Sequence, residues 1–120
     1  MITVVGEALI DVLVYTRGEV SSVVCGAPLN TARTIARLGI DATFLGGISS
    51  DAFGQRIGRL LDADGVHRGM RRDVDEPTTL AIAQLDADGA ATYRFLMDGT
   101  SATALTPDAQ VATAQRDDQA

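Results

Sequence analysis

The feature that most constrains the fold is an alternation of short β-branched segments with segments of helical periodicity in the first half of the chain. Residues 2–5 and 42–48 are rich in Val, Ile, Thr and Phe, which is typical of buried strands. Apolar residues recur at helical spacing within 28–38 and again within 53–63. This β-α-β-α order predicts an α/β fold with a parallel sheet.

The helix ends carry recognisable signals. Pro28 suits a first helical turn, where its missing N–H group has no partner inside the helix, and Gly39 suits the position after a helix end. Ser50 and Asp51 are both candidates for the N-cap of the second helix. We therefore predict helices at about 28–38 and 53–63.

The second half of the chain follows a different pattern. Residues 78–85 and 91–97 are extended apolar runs joined by Asp86-Ala87-Asp88-Gly89, which predicts an antiparallel β-hairpin closed by a turn. Residues 9–15 form a further extended stretch, and 18–22 are predicted to be turn-like. The Asp86 and Asp88 carboxylates are interpreted as turn residues rather than metal ligands.

Composition excludes several classes of partner. The formal net charge is −6, so repulsion from phosphate makes nucleic-acid binding improbable. All ten basic residues are Arg, a bias that suggests a bacterial source. A single Cys excludes an internal disulfide and fits either a reducing cytoplasm or a chain indifferent to redox state. The apolar N-terminus lacks the basic start of a signal peptide, and no run approaches the length of a membrane span.

The most informative motif runs from Cys25 to Gly54, CGAPLNTARTIARLGIDATFLGGISSDAFG. It resembles the first signature of the PfkB (ribokinase-like) carbohydrate kinases. In that signature a glycine turn leads into a helix with an Asn near its start, and a later strand leads into an Asp-x-Phe-Gly segment. The matching positions are Gly26, Asn30, Ala32, Gly39, Gly46, Asp51, Phe53 and Gly54.

Two other segments extend the resemblance to about residue 104. GEALIDV at 6–12 is similar to the opening strand of the fructokinase and 2-keto-3-deoxygluconate kinase branch, and residues 78–102 are similar to the lid hairpin of that family. The resemblance implies a partial ribokinase-like fold, with a single N-terminal half-domain over 1–120. Its core would span about 1–75, its lid strands about 9–16 and 78–98, and a weakly ordered tail about 106–120.

The resemblance also implies a site for a small-molecule sugar. By analogy with the family, Asp11 would accept hydrogen bonds from sugar hydroxyls, and the turn at Gly26 and Ala27 would bring backbone N–H groups to the sugar. Asn30 would both donate and accept. Tyr93 and Arg94 match lid positions that touch the substrate in keto-acid-sugar kinases.

Simpler interpretations remain open. Asp11 could be a solvated carboxylate at a strand end, and Asn30 could be an ordinary helix-start residue. Two positions also depart from the family pattern: Cys25 and Ser49 stand where glycines are usual. If the backbone at residue 25 needed a positive φ, Cys25 would be strained and sugar binding would suffer.

The Gly-Ala-Gly-Asp-like turn that carries the family's catalytic base is absent from these residues. The full-length family uses ATP and Mg²⁺, whereas we expect neither a catalytic residue, nor a metal site, nor ATP binding within 1–120, so the chain alone should be inactive. The alternative is a non-catalytic sugar-binding or dimerisation module, with a homodimer formed through the lid hairpin. A dinucleotide-binding Rossmann domain is rejected because no G-x-G-x-x-G follows the first strand.

Overall fold

A computed structural model of the chain describes residues 1–70 and 72–104. Its regular elements, in chain order, are β1 (Ile2–Val5), β2 (Leu9–Val14), β3 (Val20–Cys25), α1 (Ala27–Arg37), β4 (Ala42–Leu45), α2 (Ala52–Ala63), β5 (His67–Arg68), β6 (Leu80–Leu85) and β7 (Ala91–Leu96), followed by a 3₁₀ turn at Ser101–Thr103. The tail expected at about 106–120 lies outside the described residues.

The strands form two sheets. The first has the order β1-β4-β5 with parallel pairing throughout, and α1 packs on β1 and β4. The second has the order β3-β2-β6-β7. Its central pair, β2 and β6, is parallel, and each outer strand pairs antiparallel with its neighbour. The α/β class, the parallel sheet and the antiparallel hairpin of β6 and β7 are therefore confirmed.

One hydrophobic core joins the two sheets. It combines residues of the second sheet with residues of both helices and of β4, and its members are Ala8, Ile10, Val24, Leu29, Ala32, Phe44, Ile48, Ile57, Leu61 and Val66. With only one aromatic ring among its members, this core is almost entirely aliphatic. Because β2 and β3 contribute residues to this core, one face of the second sheet (the lid sheet, β3-β2-β6-β7) packs against the α/β part of the chain.

The helices begin and end where the capping residues in the sequence predict. Pro28 lies in the first turn of α1, and Gly39 follows the helix with a φ of 85° that suits glycine. At α2 the choice between the two N-cap candidates falls on Asp51, whose carboxylate accepts a hydrogen bond from the backbone N–H of Gly54 at 2.8 Å. Both helices begin and end within one residue of their predicted bounds.

The prediction of a turn over 18–22 is wrong. The turn occupies 16–18, and β3 begins at Val20 and pairs along its whole length with β2. The sequence of β3 hides this because Ser21 and Ser22 break the apolar run. Ser22 is held by Arg56 of α2, whose Nη1 donates to the Ser22 Oγ at 2.6 Å. A contact between residues so far apart in sequence cannot be seen in local periodicity.

None of the helices in the described part of the chain is long and apolar enough to cross a membrane.

Candidate functional site

Asp11 lies in the middle of β2, the strand that pairs with both β3 and β6. It is opposite Val23 on one side and Ala81 on the other. Since side chains alternate along a strand, Asp11 points away from its neighbour Ile10, which is fully buried in the core. The carboxylate of Asp11 is therefore presented on the outer face of the lid sheet, where it is half-buried.

The end of β3 brings a second group to the same face. Cys25 is opposite Leu9 in the register, so it shares the face of Asp11. Burial raises the pKa of the Cys25 thiol, and the nearby carboxylate of Asp11 raises it further. The thiol is therefore protonated at neutral pH, and Cys25 is poorly suited to act as a nucleophile.

The turn from β3 into α1 depends on Gly26. Its φ of 123° and ψ of 121° lie in a region that residues with a Cβ atom rarely adopt. A Cβ atom there would also lie 2.6 Å from the carbonyl oxygen of Glu7. Among the described residues, only glycines have a positive φ. The backbone at Cys25 therefore does not need a positive φ and is not strained, because the unusual conformation falls on the next residue.

The N-terminus of α1 follows directly. Gly26 has no side chain with which to cap the helix, and the first turn carries no acidic residue. Pro28 has no N–H group, and the Asn30 N–H donates to the Gly26 carbonyl oxygen at 2.9 Å, so the exposed Ala27 is the residue whose backbone N–H can reach an oxygen acceptor. Asn30 lies three residues after Ala27, hence on the same side of the helix one turn later, and is exposed.

The side chains of Tyr93 and Arg94 lie on opposite faces of the hairpin formed by β6 and β7. Tyr93 is opposite Ala83, and Phe95 is opposite Ala81, which is itself opposite Asp11. The two aromatic rings thus lie on the face of Asp11, where they stack with centroids 6.1 Å apart. The side chain of Arg94 belongs to the other face, because it is one residue removed from each ring.

On the outer face of the lid sheet, the small side chains of Ala81 and Ala83 lie between the aromatic rings of β7 and the carboxylate of β2. Both alanines are almost fully covered by their neighbours, whereas Tyr93 and Phe95 are 60% and 62% exposed. A polar acceptor on one side and aromatic rings on the other suit a ligand that has both hydroxyl groups and an apolar surface.

A buried hydroxyl cluster, which the sequence analysis did not identify, holds the lid hairpin at its base. The Oγ1 atoms of Thr79 and Thr100 lie 2.7 Å apart, and the Thr79 N–H donates to the Oγ of Ser101 at 3.3 Å. These residues flank β6 and β7, so the cluster ties the two ends of the hairpin together. The only available signal was the pair of polar doublets, Thr78-Thr79 and Thr100-Ser101.

Asp51 connects α2 to Thr78, the neighbour of Thr79 in the buried hydroxyl cluster. Besides capping the helix, its carboxylate accepts a hydrogen bond from the Thr78 N–H at 2.9 Å and from the Thr78 hydroxyl at 2.6 Å. Burial opposes ionisation, but these hydrogen bonds and the one from Gly54 outweigh it and lower the pKa of Asp51. The Ser49 side chain also lowers the pKa of Asp51, and its Oγ accepts a hydrogen bond from the Asp51 backbone N–H at 3.1 Å. This part of the signature thus ties the start of α2 to the segment just before β6.

Asp51→Asn should lower the free energy of unfolding by about 2 kcal/mol at neutral pH, because a helix cap and a hydrogen bond to a charged group weaken together. The pKa of Asp51 is lower in the folded chain than its unfolded value of 3.8. Its contribution is therefore present above that value and is lost as the pH falls through the folded pKa. Urea unfolding at about pH 7 and about pH 3 measures this loss.

The matched control for that measurement is Asp88→Asn, which changes an exposed aspartate in the hairpin turn. Its unfolding free energy should stay within about 0.5 kcal/mol of wild type. If Asp51→Asn and the wild type lost equal stability between the two pH values, Asp51 would not be the linking group.

Comparison with known proteins agrees with this geometry. The family model described as pfkB family carbohydrate kinase matches residues 1–117. The chain belongs to this family. It is 32% identical over 108 residues to a fructokinase of Klebsiella pneumoniae and 37% identical over 110 residues to a fructokinase of Rhizobium leguminosarum bv. trifolii. These alignments cover 89% and 88% of this chain but 35% and 33% of the relatives.

Solved structures give the same relation. The chain matches the fructokinase of Xylella fastidiosa with bound ATP at a TM-score of 0.81 and 28% identity, over 94% of this chain and 38% of that one. A putative sugar kinase from Clostridium perfringens has the same TM-score of 0.81 at 21% identity, over 95% of this chain and 40% of that one, and shows the ribokinase-like fold alone. The pfkB-family chain thus spans about a third of the length of the curated relatives it matches.

Proposed function

We propose that residues 1–120 form the sugar-binding part of an ATP-dependent carbohydrate kinase of the pfkB family, with a fructose-like sugar as the acceptor. The observation that carries this proposal is the placement of Asp11 on the outer face of the lid sheet, on the same face as the end of β3 and the two stacked rings of β7. The fructokinases among the relatives support the choice of sugar.

Each group of the site has a distinct part in this proposal. Asp11 accepts hydrogen bonds from two sugar hydroxyls, since a carboxylate can accept several at once. The backbone N–H of Ala27 at the start of α1 donates to a sugar oxygen, and the Asn30 side chain orients a further hydroxyl. Tyr93 covers the apolar face of the sugar ring and helps to exclude water. Arg94 would need another conformation of the hairpin to take part.

ATP would supply the phosphoryl group and Mg²⁺ would neutralise its charge, as in phosphoryl transfer generally. Within the described residues, no three His, Cys, Asp or Glu side chains lie close enough together to hold a metal ion. We infer that residues 1–120 bind the sugar without turning over ATP.

Calorimetric titration of the 120-residue chain with D-fructose tests this function. We expect saturable binding with a dissociation constant in the millimolar range, and no binding of myo-inositol, which has hydroxyl groups in a different arrangement. Addition of ATP and Mg²⁺ should give no sugar phosphate. An absence of saturable fructose binding by a folded chain would overturn the sugar-binding role, and sugar phosphate formed by a preparation free of other kinases would overturn the inactivity.

A second candidate is a dimerisation module, and the exposed apolar groups of the lid sheet favour it. Val23, Tyr93 and Phe95 are each more than half exposed and share one face. Two copies could cover these side chains by packing their lid faces together. Sedimentation equilibrium distinguishes the candidates, because a monomer whose mass is independent of concentration would exclude the dimer and leave sugar binding intact.

A further inference from the structure

A groove separate from the predicted sugar contacts runs between the open edge of β3 and the two helices. The groove is open to solvent and has a volume of about 460 Å³, within the range of small-ligand sites. None of its lining residues is among the six predicted sugar contacts. The lining residues are Val23, Val24, Arg33, Arg56, Arg59, Leu60 and Ala63.

The groove concentrates positive charge in an acidic chain. Three of the ten arginines line it, although the net charge of the whole chain is −6. The guanidinium group of Arg56 is fixed by Ser22, with Nη1 2.6 Å from the Ser22 Oγ and Nη2 2.9 Å from its carbonyl oxygen. Because both acceptors are uncharged, these hydrogen bonds orient Arg56 without neutralising it.

The carboxylate of Asp64 does not neutralise the positive charge of the arginines around the groove. Asp64 accepts from Nε of Arg33 at 2.5 Å and also from Nε of Arg37 at 3.2 Å, so two guanidinium groups share one carboxylate. The hydrogen bond from Arg33 lowers the pKa of Asp64, which is therefore ionised at neutral pH. With Arg56 and the exposed Arg59 added, positive charge remains in excess around the groove.

The apolar part of the lining indicates what kind of anion would fit. Val24, which belongs to the hydrophobic core, and Leu60, which packs against that core, offer methyl groups to the groove. Arginine binds phosphate through paired N–H donors, and the aliphatic side chains would bury a nonpolar body. We propose that this groove binds a small phosphate monoester with an apolar body, with Arg56 and Arg59 contacting the phosphate.

Phenyl phosphate is the probe that tests the proposal, titrated calorimetrically into the 120-residue chain at constant ionic strength. We expect a millimolar dissociation constant, weaker binding of inorganic phosphate, which lacks the apolar body, and weaker binding of benzoate, which carries less charge. Arg59→Gln should weaken phenyl phosphate binding about tenfold, the usual effect of losing a hydrogen bond between charged groups. Arg17→Gln, in the exposed turn before β3, should leave it unchanged.

Arg59 is the residue to replace, because Arg33 and Arg56 make contacts that stabilise the fold, and their loss could unfold the chain. A second measurement needs no variant: the side-chain Nε–H signals of Arg33, Arg56 and Arg59 should shift on titration, while that of Arg17 should not. The proposal is overturned if phenyl phosphate does not saturate, if Arg17→Gln and Arg59→Gln lose equal affinity, or if the groove signals do not move. It stands whether or not the chain binds fructose.

Discussion

Asp11→Asn is expected to weaken the binding of D-fructose by at least about tenfold, and to about a hundredfold if both sugar hydrogen bonds depend on the charge. Hydrogen bonds to a charged group contribute about 1.5–3 kcal/mol, and the amide replaces one acceptor oxygen by a donor. The substitution keeps the size of the side chain, and Asp11 is half-buried on a face away from the core. The free energy of unfolding should therefore change by less than about 1 kcal/mol.

The matched control is Asp41→Asn, which removes the same charge from an exposed position just before β4. It changes the net charge of the chain equally, so any general electrostatic effect appears in both variants. Calorimetry with D-fructose should give wild-type affinity for Asp41→Asn. Equal losses in the two variants would show that Asp11 has no direct contact with the sugar.

Gly26→Ala is expected to destabilise the chain by about 4 kcal/mol, the largest effect on stability that we predict. The backbone at Gly26 has a φ of 123°, and forcing a residue with a Cβ atom into such a region costs about 1–3 kcal/mol. The added methyl group would also press on the carbonyl oxygen of Glu7, which belongs to the connection between β1 and β2. Crowding of this kind costs a further 1–3 kcal/mol or so.

Gly89→Ala separates the two contributions. Gly89 has a φ of 83° but a Cβ atom there would meet open space, so only the conformational cost of about 1–2 kcal/mol applies. Urea unfolding of both variants measures the difference. Gly26→Ala should also lose fructose affinity, because relief of the crowding displaces the start of α1. Equal destabilisation of the two variants would contradict the close contact at Gly26.

The sequence predicted those parts of the fold whose causes are local. Pro28, Gly39 and Asp51 fix helix ends through their own backbone preferences or side chains, so the bounds of α1 and α2 follow from short stretches of sequence. The hairpin turn could also be predicted from a short stretch of sequence, because it is stabilised locally: Asp86 Oδ1 accepts hydrogen bonds from the backbone N–H groups of Asp88 and Ala90. In each case the decisive interaction spans at most a few residues.

The parts that escaped prediction depend on contacts between distant segments. β3 was missed because Ser22 is satisfied by Arg56, which lies 34 residues later. The family resemblance supplied Asp11, Gly26 and Asn30 as candidates, but only the register shows that Tyr93 shares a face with Asp11 and that Arg94 does not. The arginine groove likewise combines three separate elements, and no single stretch of sequence contains its pattern.

A residue-resolved NMR titration of the ¹⁵N-labelled chain with D-fructose tests the central claim most directly. We predict that the backbone signals of Asp11, Gly26, Ala27 and Asn30 shift together and saturate with one dissociation constant, while those of Gly89 and Asp41 remain in place. The same titration of Asp11→Asn should require a much higher sugar concentration. If the shifts cluster elsewhere, or if Asp11→Asn titrates like the wild type, the outer face of the lid sheet is not the sugar site.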